Sequence, residues 1–399
     1  MMPEPRLEKI GSIAEINPKM RDAPAHDETV SFVPMATVDA AVSTATASEQ
    51  RTFRDVQKGY TPFIDGDILP AKITPCFENG KIAQIRIPQR HGFGSTEFHI
   101  LRPNASLLDA RYLLHFLRRR EVIVQGRQRM TGSAGQRRVP EHFVAGLEIP
   151  LHSLARQRRI AEVLDRAEAL QAKRRATLAL LETLTQSLFL EMFGDPELNS
   201  HRWHQLPLGE LVVSGPQNGL YRPAADYGEG TRILRIDGFY DGFVTSLDSL
   251  KRVRIAPSDI ELFALRSNDI VINRVNSREY LGKSALIPQL SEPVVFESNM
   301  MRFRLDVDRV EPRYAIQFLQ TSFIRMQIAR AAKDAVNQSS INQQDVRAFR
   351  MNLPPLELQR RFCERAATAE KLKIAHRASL ARLDELFASL QHRAFRGEL

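Results

Sequence analysis

Cysteine is scarce in this chain of 399 residues. Its two cysteines, Cys76 and Cys363, lie far apart and lack the paired spacing of a zinc site. They also cannot supply the set of disulfides that holds a small secreted domain together. We therefore expect two reduced thiols.

Long hydrophobic runs are absent as well. The first six residues lack the apolar stretch of a signal peptide. The most apolar segment, residues 176–193, contains Glu182 and Glu191, which a membrane-spanning helix would not favour. We expect a cytoplasmic protein that does not enter a membrane.

The known motifs of catalytic sites are missing too. An amino-methyltransferase needs Asp or Asn before a Pro-Pro pair and an aromatic residue after it, whereas Pro354-Pro355 is flanked by leucines. Residues 282–284 (Gly-Lys-Ser) resemble the end of a phosphate-binding loop, but Ser277 stands where that loop requires glycine. Metalloprotease and hydrolase motifs are also lacking. The sequence predicts a binding protein without catalytic residues, a cofactor or a metal ion.

Basic residues outnumber acidic ones in this chain. The count of 56 Lys and Arg against 47 Asp and Glu gives a formal net charge of +9. This excess favours a polyanionic partner such as nucleic acid. The length is sufficient for two domains and connecting elements.

A shift of 202 residues aligns much of the first half of the chain with the second. It places Asp67 on Asp269 and, much further along, Gln157 on Gln359. The register holds without net insertion over about 130 residues. We therefore predict two copies of one unit, related as a pseudo-two-fold internal repeat.

Each copy contains a globular part and a helical part. The β-rich runs 67–73 and 269–275 alternate with Gly- and Pro-containing loops and a helix, which predicts an α+β domain. Segments 155–193 and 357–395 contain neither Pro nor Gly and carry apolar residues at three- and four-residue steps. These segments predict two helices, each roughly 57 Å long.

The two predicted helices can bury their apolar stripes against each other. In an antiparallel pairing centred on Arg174 and His376, Ile160 faces Leu390. Arg174 and His376 are then the polar groups on the seam, and one polar layer can fix the register of a coiled coil. The alternative is that both side chains extend their polar ends into solvent.

Two segments carry a resemblance to a known family. Residues 354–361 (PPLELQRR) open the second predicted helix and residues 394–399 (AFRGEL) close it. In combination they resemble the specificity subunits of Type I restriction-modification systems. Residues 149–160 look like the start of the central spacer helix of that family, although His152-Ser153 replaces its proline pair.

The resemblance implies an α+β fold with two target-recognition domains joined by a pair of long antiparallel helices. The implied order is a first recognition domain at 1–150, a spacer helix at 151–196, a second recognition domain at 197–353 and a second spacer helix at 354–399. Each recognition domain would read one half of a split site in double-stranded DNA. The helices would set the distance between the halves.

The same resemblance implies the partners. Two modification subunits would dock on the chain and supply adenine methylation with S-adenosylmethionine. Restriction subunits, held through the modification subunits, would supply ATP-driven translocation and cleavage. The chain itself would be non-catalytic.

Two other functions are alternatives to this interpretation. An autonomous DNA methyltransferase or nuclease should contain a cofactor loop or acidic metal ligands, and the sequence has no such motif. A coiled-coil scaffold that binds no nucleic acid should lack a basic loop beside each helix, and the first domain has one.

The densest basic stretch, residues 118–138, holds seven arginines and one acidic residue. Its core, residues 132–136, is predicted to be a flexible polar loop whose backbone N–H groups can approach a phosphate. The alternative is a solvated loop that caps the helix start near Pro140. The DNA-contact candidates of the first domain are Lys72, Lys81, Arg127, Arg129, Gln136, Arg137 and Arg138.

In the second domain the corresponding place, residues 337–342, is rich in amides and hydroxyls. Asn and Gln side chains there suit adenine edges, and the alternative is again a helix cap. A strand through Arg274 directs Asn273 and Val275 to the opposite face, so only one set can face DNA. The alternative for Arg274 is an ion pair with a nearby carboxylate. The candidates of this domain are Tyr221, Arg222, Arg232, Arg274, Asn276, Arg278, Gln338, Ser339 and Asn342.

Overall fold

The computed structural model describes residues 6–133, 135–336 and 338–399. The chain divides into two compact units. Unit 1 comprises Met1–Leu178 and Ala375–Leu399, and unit 2 comprises Ala179–Ile374. Both units mix helices with β-sheets, which agrees with the predicted α+β class. Within the described ranges, no helix combines the length and the apolar character needed to cross a bilayer.

The elements of unit 1 follow one another as short strands and helices before one long helix. The strands are β1 (Arg6–Lys9), β2 (Ala14–Ile16), β3 (Thr29–Val33), β4 (Thr44–Thr46), β5 (Glu49–Thr52), β6 (Thr61–Phe63), β7 (Ile68–Pro70), β8 (Ile82–Arg86), β9 (Gly92–Gly94), β10 (Leu101–Pro103) and β11 (Glu148–Leu151). The helices are α1 (Ile10–Ile13), α2 (Phe53–Val56), α3 (Ala110–Leu117), α4 (Arg120–Arg129), α5 (Glu141–Gly146) and α6 (Leu154–Phe193), of which α6 continues into unit 2.

The strands of unit 1 form three sheets. They have the orders β2-β10-β7-β8-β4, β5-β3-β9-β6 and β1-β11. The antiparallel pair β1-β11 joins the first described residues to the segment that leads into α6, with Arg6 opposite Leu151. The main core packs α3 against α6, and it includes the buried side chains of Tyr112, Ile160, Leu164 and Phe395.

Unit 2 contains the remaining elements. Its strands are β12 (His204–Pro207), β13 (Val212–Asn218), β14 (Tyr227–Leu234), β15 (Phe239–Tyr240), β16 (Gly242–Val244), β17 (Lys251–Val253), β18 (Ile270–Asn273), β19 (Val275–Asn276), β20 (Ser284–Leu286), β21 (Val294–Phe296), β22 (Met300–Leu305), β23 (Lys333–Ala335), β24 (Gln338–Ser340) and β25 (Arg350–Leu353). Its helices are α7 (Pro257–Phe263), α8 (Pro312–Leu319), α9 (Ser322–Ala331), α10 (Gln343–Ala348) and α11 (Leu356–Phe395), of which α11 continues into unit 1.

The strands of unit 2 form one large sheet and three small ones. The large sheet has the order β13-β22-β18-β20-β16-β15, and the small sheets are β17-β14-β21, β19-β24-β23 and β12-β25. The main core contains an aromatic cluster in which Phe189 of α6 stacks on Tyr314 at 5.7 Å and meets Phe362 of α11 edge-on at 5.7 Å.

The helices α6 and α11 each contain 40 residues. Helix α6 ends where Gly194 takes a left-handed conformation (φ 75°), which an L side chain adopts at a cost. Within unit 1 the two helices touch through polar groups. The Arg174 guanidinium donates to Nδ1 of His376 at 2.5 Å, and the Gln171 amide donates to Asp384 at 2.8 Å.

Candidate nucleic-acid interface

The basic stretch of unit 1 ends in a β-hairpin. Isolated bridges pair Arg138 with Thr131 and with Ile73, and we call this arrangement the unit 1 hairpin. The Thr74 hydroxyl donates to the Gly135 carbonyl at 3.1 Å. The segment predicted to be a flexible loop is therefore tied at both ends by hydrogen bonds. Ala134, which is part of that predicted loop, lies outside the described residues.

The arginines beside the unit 1 hairpin form ion pairs of different strength. Arg138 donates twice to Glu97, at 2.9 and 2.7 Å, and this bonding lowers the pKa of Glu97 below its ordinary value. Arg127 and Arg137 share Glu78, at 3.2 and 3.7 Å. Their guanidinium groups are substantially exposed, and such surface pairs contribute little stability. They can exchange the carboxylate for a phosphate at small cost.

Arg118, the first arginine of the basic stretch, has a structural role. It is largely buried, donates to the carbonyls of Ile82 and Ala40 at 3.1 and 2.8 Å, and pairs with Glu168 at 3.0 Å. Burial lowers the pKa of Arg118. These partners fix the Arg118 side chain inside unit 1, so it does not face a ligand.

The remaining candidates of unit 1 differ in exposure. Arg129 and Gln136 are exposed, whereas Lys72 and Lys81 are half-buried. The Lys81 ammonium donates to the Met35 carbonyl at 3.3 Å. Arg129 and Gln136 are therefore open to a large ligand, and the two lysines lie closer to the protein interior.

The unit 2 hairpin consists of β23 and β24, and β24 also pairs with β19. This small sheet brings Asn276 opposite Ser339. Ser339 is buried and its hydroxyl donates to Asp334 at 2.6 Å, while exposed Arg278 pairs with the same carboxylate at 2.6 Å. Gln338 is exposed, and Asn337 lies outside the described residues.

Arg274 precedes β19 and lies beside this small sheet. Its guanidinium donates to the Ser298 carbonyl at 3.2 Å, so a carbonyl holds it rather than the carboxylate considered as an alternative. The Ser298 amide donates in turn to the carbonyl of Leu220, which precedes Tyr221. Tyr221 is 78% exposed. The fold therefore brings Tyr221, Arg274 and the unit 2 hairpin to one region.

Two other arginines of unit 2 are engaged in ion pairs. Arg222 pairs with Asp259. Arg232 is largely buried and pairs with Glu292 at 2.6 Å and Asp248 at 3.1 Å, on a strand next to β21. Both guanidinium groups therefore have an acidic partner already.

Asn342 caps helix α10. Its side-chain oxygen accepts from the Gln344 and Asp345 amides at 2.8 and 3.0 Å, and the Asp345 carboxylate accepts from the Asn342 amide at 2.8 Å. This reciprocal capping box is the helix-cap alternative considered for Asn342. Its oxygen is already used by the backbone.

The sequence did not predict that aromatic side chains surround the Lys283 ammonium. The Lys283 ammonium lies 4.0 Å from the ring centre of Tyr240 and 5.5 Å from that of Tyr280, and it donates to the Ile236 carbonyl at 2.6 Å. Burial lowers the pKa of Lys283. No periodicity in the sequence relates Lys283 to Tyr240 and Tyr280, because these residues lie on separate strands and turns.

Among the described residues, one group of His and acidic side chains is close enough to hold a metal ion: His115, Asp165 and Glu168. Burial alone would raise the pKa of Asp165, but hydrogen bonds from His115 and Arg111 outweigh it and lower the pKa to about 2. Arg111 and Arg118 neutralise the two carboxylates. The group therefore acts as a charge-balanced layer between α3 and α6.

The known proteins that are similar to this chain indicate one family. No protein-family model matches the chain. The Type I restriction enzyme EcoAI specificity subunit of Escherichia coli is 38% identical over 196 residues, which cover 46% of this chain and 33% of that protein. The Type I restriction enzyme StySPI specificity subunit of Salmonella potsdam is 27% identical over 341 residues, which cover 80% of this chain and 72% of that protein.

The chain thus spans about a third of the length of the first of these relatives. A chain in a solved structure of the type I R-M system has a TM-score of 0.63 with this chain at 20% sequence identity. That structure concerns the complex assembly and conformational transition of the system. That match covers 100% of this chain and 99% of the other, and it concerns the fold. The predicted resemblance to this family is therefore confirmed: the chain is a homologue of Type I restriction enzyme specificity subunits.

Proposed function

We propose that this chain is the DNA-sequence-specificity subunit of a Type I restriction-modification complex. One observation carries the proposal. Each unit presents a β-hairpin with basic side chains beside it, in a chain whose relatives are specificity subunits. A fixed hairpin with exposed cations beside it provides both phosphate contacts and groups that reach base edges.

We infer that the two units are copies of one fold, with recognition domains at 1–150 and 197–353 and spacer helices at 151–196 and 354–399. Matching hydrogen bonds support this inference. In unit 1 the buried hydroxyl of Tyr112 donates to the Pro150 carbonyl at 2.8 Å. In unit 2 that of Tyr314 donates to the Asn352 carbonyl at 2.7 Å. Both pairs are separated by 38 residues.

We further infer that α6 and α11 form an antiparallel coiled coil that sets the distance between two half-sites. The contact between Arg174 and His376 supports this pairing, because it joins the two residues at the centre of the proposed register. Phe189 against Phe362 in unit 2 is consistent with the same register. A rigid helical pair makes the separation of the recognition domains a fixed length.

The DNA contacts of each unit follow from its exposed groups. In unit 1 we assign phosphate contacts to Arg127, Arg129 and Arg137, with Gln136 at the hairpin tip. In unit 2 we assign contacts to Gln338 of the hairpin and to four residues near it: Tyr221, Arg274, Asn276 and Arg278. The remaining candidates lie further inside or are already paired within the protein, and we assign them a supporting role in these surfaces: Lys72, Lys81, Arg138, Arg222, Arg232, Ser339 and Asn342.

The proposed role requires partners, because we assign no reacting group to this chain. Two modification subunits would bind it and methylate adenine with S-adenosylmethionine. Restriction subunits would join through them. Since these partners act on DNA inside the cell, we place the chain in the cytoplasm.

The test is co-expression with a modification subunit, purification of the complex and methylome sequencing of the host DNA. We expect methylation at one bipartite sequence that disappears when this chain is omitted. The chain alone, supplied with S-adenosylmethionine, ATP and magnesium, should neither methylate nor cleave DNA. Turnover by the pure chain would instead favour an autonomous enzyme.

A domain exchange tests the assignment of two independent reading domains. Replacing residues 203–350 by the equivalent region of a relative should change one half of the methylated sequence and leave the other half intact. A change in both halves would contradict independent reading.

A further inference from the structure

The unit 2 hairpin is a short two-stranded ribbon that belongs to a three-stranded sheet. Strand β24 pairs with β19 on one side and with β23 on the other. Asp334 binds the two sides together, because it accepts from buried Ser339 and pairs with Arg278, both at 2.6 Å. These contacts hold the three strands together next to the connection between β23 and β24.

The tip carries an apolar side chain that folding does not require. Val336 follows β23 directly and is 92% exposed. Ala335 pairs with Gln338, so two residues connect the strands. Such short connections favour Gly, Asn and Asp, and a β-branched residue suits a strand interior better. Val336 thus lies in a turn that its residue type does not favour, and its side chain is not buried.

The surroundings of Val336 indicate a DNA groove as its partner. Exposed Lys333 lies on β23, and exposed Arg278 follows β19 and pairs with Asp334 in a surface ion pair that a phosphate can replace at small cost. The major groove, about 12 Å wide, admits a two-stranded β-ribbon. The C5-methyl group of thymine is the apolar feature of the base edges in that groove.

We propose that the unit 2 hairpin enters the major groove of its half-site and that Val336 contacts a thymine methyl group. This inference rests on the proposed function and adds the chemical feature that unit 2 reads. The described tip residues of the unit 1 hairpin are Gly132, Ser133, Gly135 and Gln136, none of which is apolar like Val336. The two half-sites therefore differ in their dependence on thymine methyl groups.

The experiment uses the complex with its modification subunits and duplexes carrying the methylome-derived site. One duplex contains thymine throughout, and another contains deoxyuridine at the thymines of the unit 2 half-site. Val336→Ala should weaken binding to the thymine duplex roughly fourfold, the effect of one buried methylene-sized group. It should leave binding to the deoxyuridine duplex unchanged. Deoxyuridine in the unit 1 half-site should not alter the effect of V336A.

Val307→Ala is the matched control, because Val307 is an exposed valine (49%) between two aspartates in the same unit. It should bind both duplexes as the wild type does. Equal weakening of both duplexes by V336A, no weakening of either, or a unit 2 half-site without thymine overturns the inference and leaves the specificity-subunit role intact. Wild-type complex that shows no sequence preference overturns both proposals.

Discussion

The junction between each globular part and its long helix depends on one buried glutamine. In unit 1 the Gln157 side chain is fully buried and makes three hydrogen bonds. Its oxygen accepts from the Asp109 amide at 2.8 Å. Its amide group donates to the carbonyls of Leu107 at 2.9 Å and His152 at 2.8 Å. The side chain thereby joins the start of α3 to the start of α6.

Unit 2 contains the same arrangement. The oxygen of fully buried Gln359 accepts from the Glu311 amide at 2.9 Å. Its amide group donates to the carbonyls of Pro354 at 2.8 Å and Arg309 at 3.4 Å. We expect the substitutions Gln157→Leu and Gln359→Leu to have matching effects on their own units.

The expected loss of stability follows from the hydrogen-bond partners that each substitution leaves unsatisfied. Leucine has nearly the same volume but cannot satisfy one amide and two carbonyls. Each abandoned buried group costs about 1–3 kcal/mol, and the lower value applies because these partners are partly buried. The gain from burying an apolar side chain offsets part of the sum. The expected loss is about 2–3 kcal/mol in the free energy of unfolding of the affected unit.

Urea denaturation of the purified chain, combined with hydrogen exchange resolved along the sequence, measures this loss. Q157L should accelerate exchange in α3 and β11 while unit 2 keeps its protection, and Q359L should do the reverse in α8 and β25. Gln128→Leu, at an exposed position of α4, is the control. A loss below about 0.5 kcal/mol, or equal loosening of both units by one substitution, would refute the role given to the glutamine.

Three further predictions concern charge and length. Replacing Arg137 with alanine should lower the salt dependence of DNA binding by the complex by about one unit in a log–log plot, whereas Arg309→Ala should not. The folded-state pKa of Asp165, about 2, lies below the ordinary value of an aspartate. Its contribution to stability is therefore complete above about pH 4 and is lost as the pH falls through about 2. Asp165→Asn should cost about 1 kcal/mol at pH 7, after discounting for partial exposure, and much less below about pH 2, as measured by thermal unfolding. Inserting a heptad into both helices beside Arg174 and His376 adds roughly 10 Å and should lengthen the preferred spacer by about three base pairs, as read by methylome sequencing; an unchanged spacer would show that the helices do not set it.

The long helices were predictable because their signal is local. Segments predicted at 155–193 and 357–395 are helical from Leu154 to Phe193 and from Leu356 to Phe395. The absence of Pro and Gly and the three- and four-residue apolar steps can be read from neighbouring residues alone. The proposed repeat was likewise found by comparing residues directly, here at a shift of 202 positions.

The hairpins join residues that are close in sequence, but the segments that pair with them are distant and were not predictable. Ile73 pairs with Arg138 across 65 positions and Val275 pairs with Ser340, and a local pattern does not show which strand lies beside a hairpin. Charge was misleading for the same reason. Arg118 belongs to a basic run in sequence, but the carbonyls of Ile82 and Ala40 hold it inside the unit. A run of charge indicates a surface only when no distant partner is available.

The two units use the same junction but fill their interiors differently. Under the 202-residue shift the layer of His115 and Asp165 corresponds to Gln317 and Ala367, so the charged network of unit 1 has no direct counterpart in these positions of unit 2. Gln157 and Gln359 bond to backbone groups at positions that correspond under the 202-residue shift. Buried hydrogen bonds of this kind fix the orientation of each globular part relative to the start of its long helix. The charged layers and the hairpin tips can differ between the two units without changing that junction. Under the proposed function, this separation would allow the recognised sequence to change without altering the geometry that we propose sets the spacer.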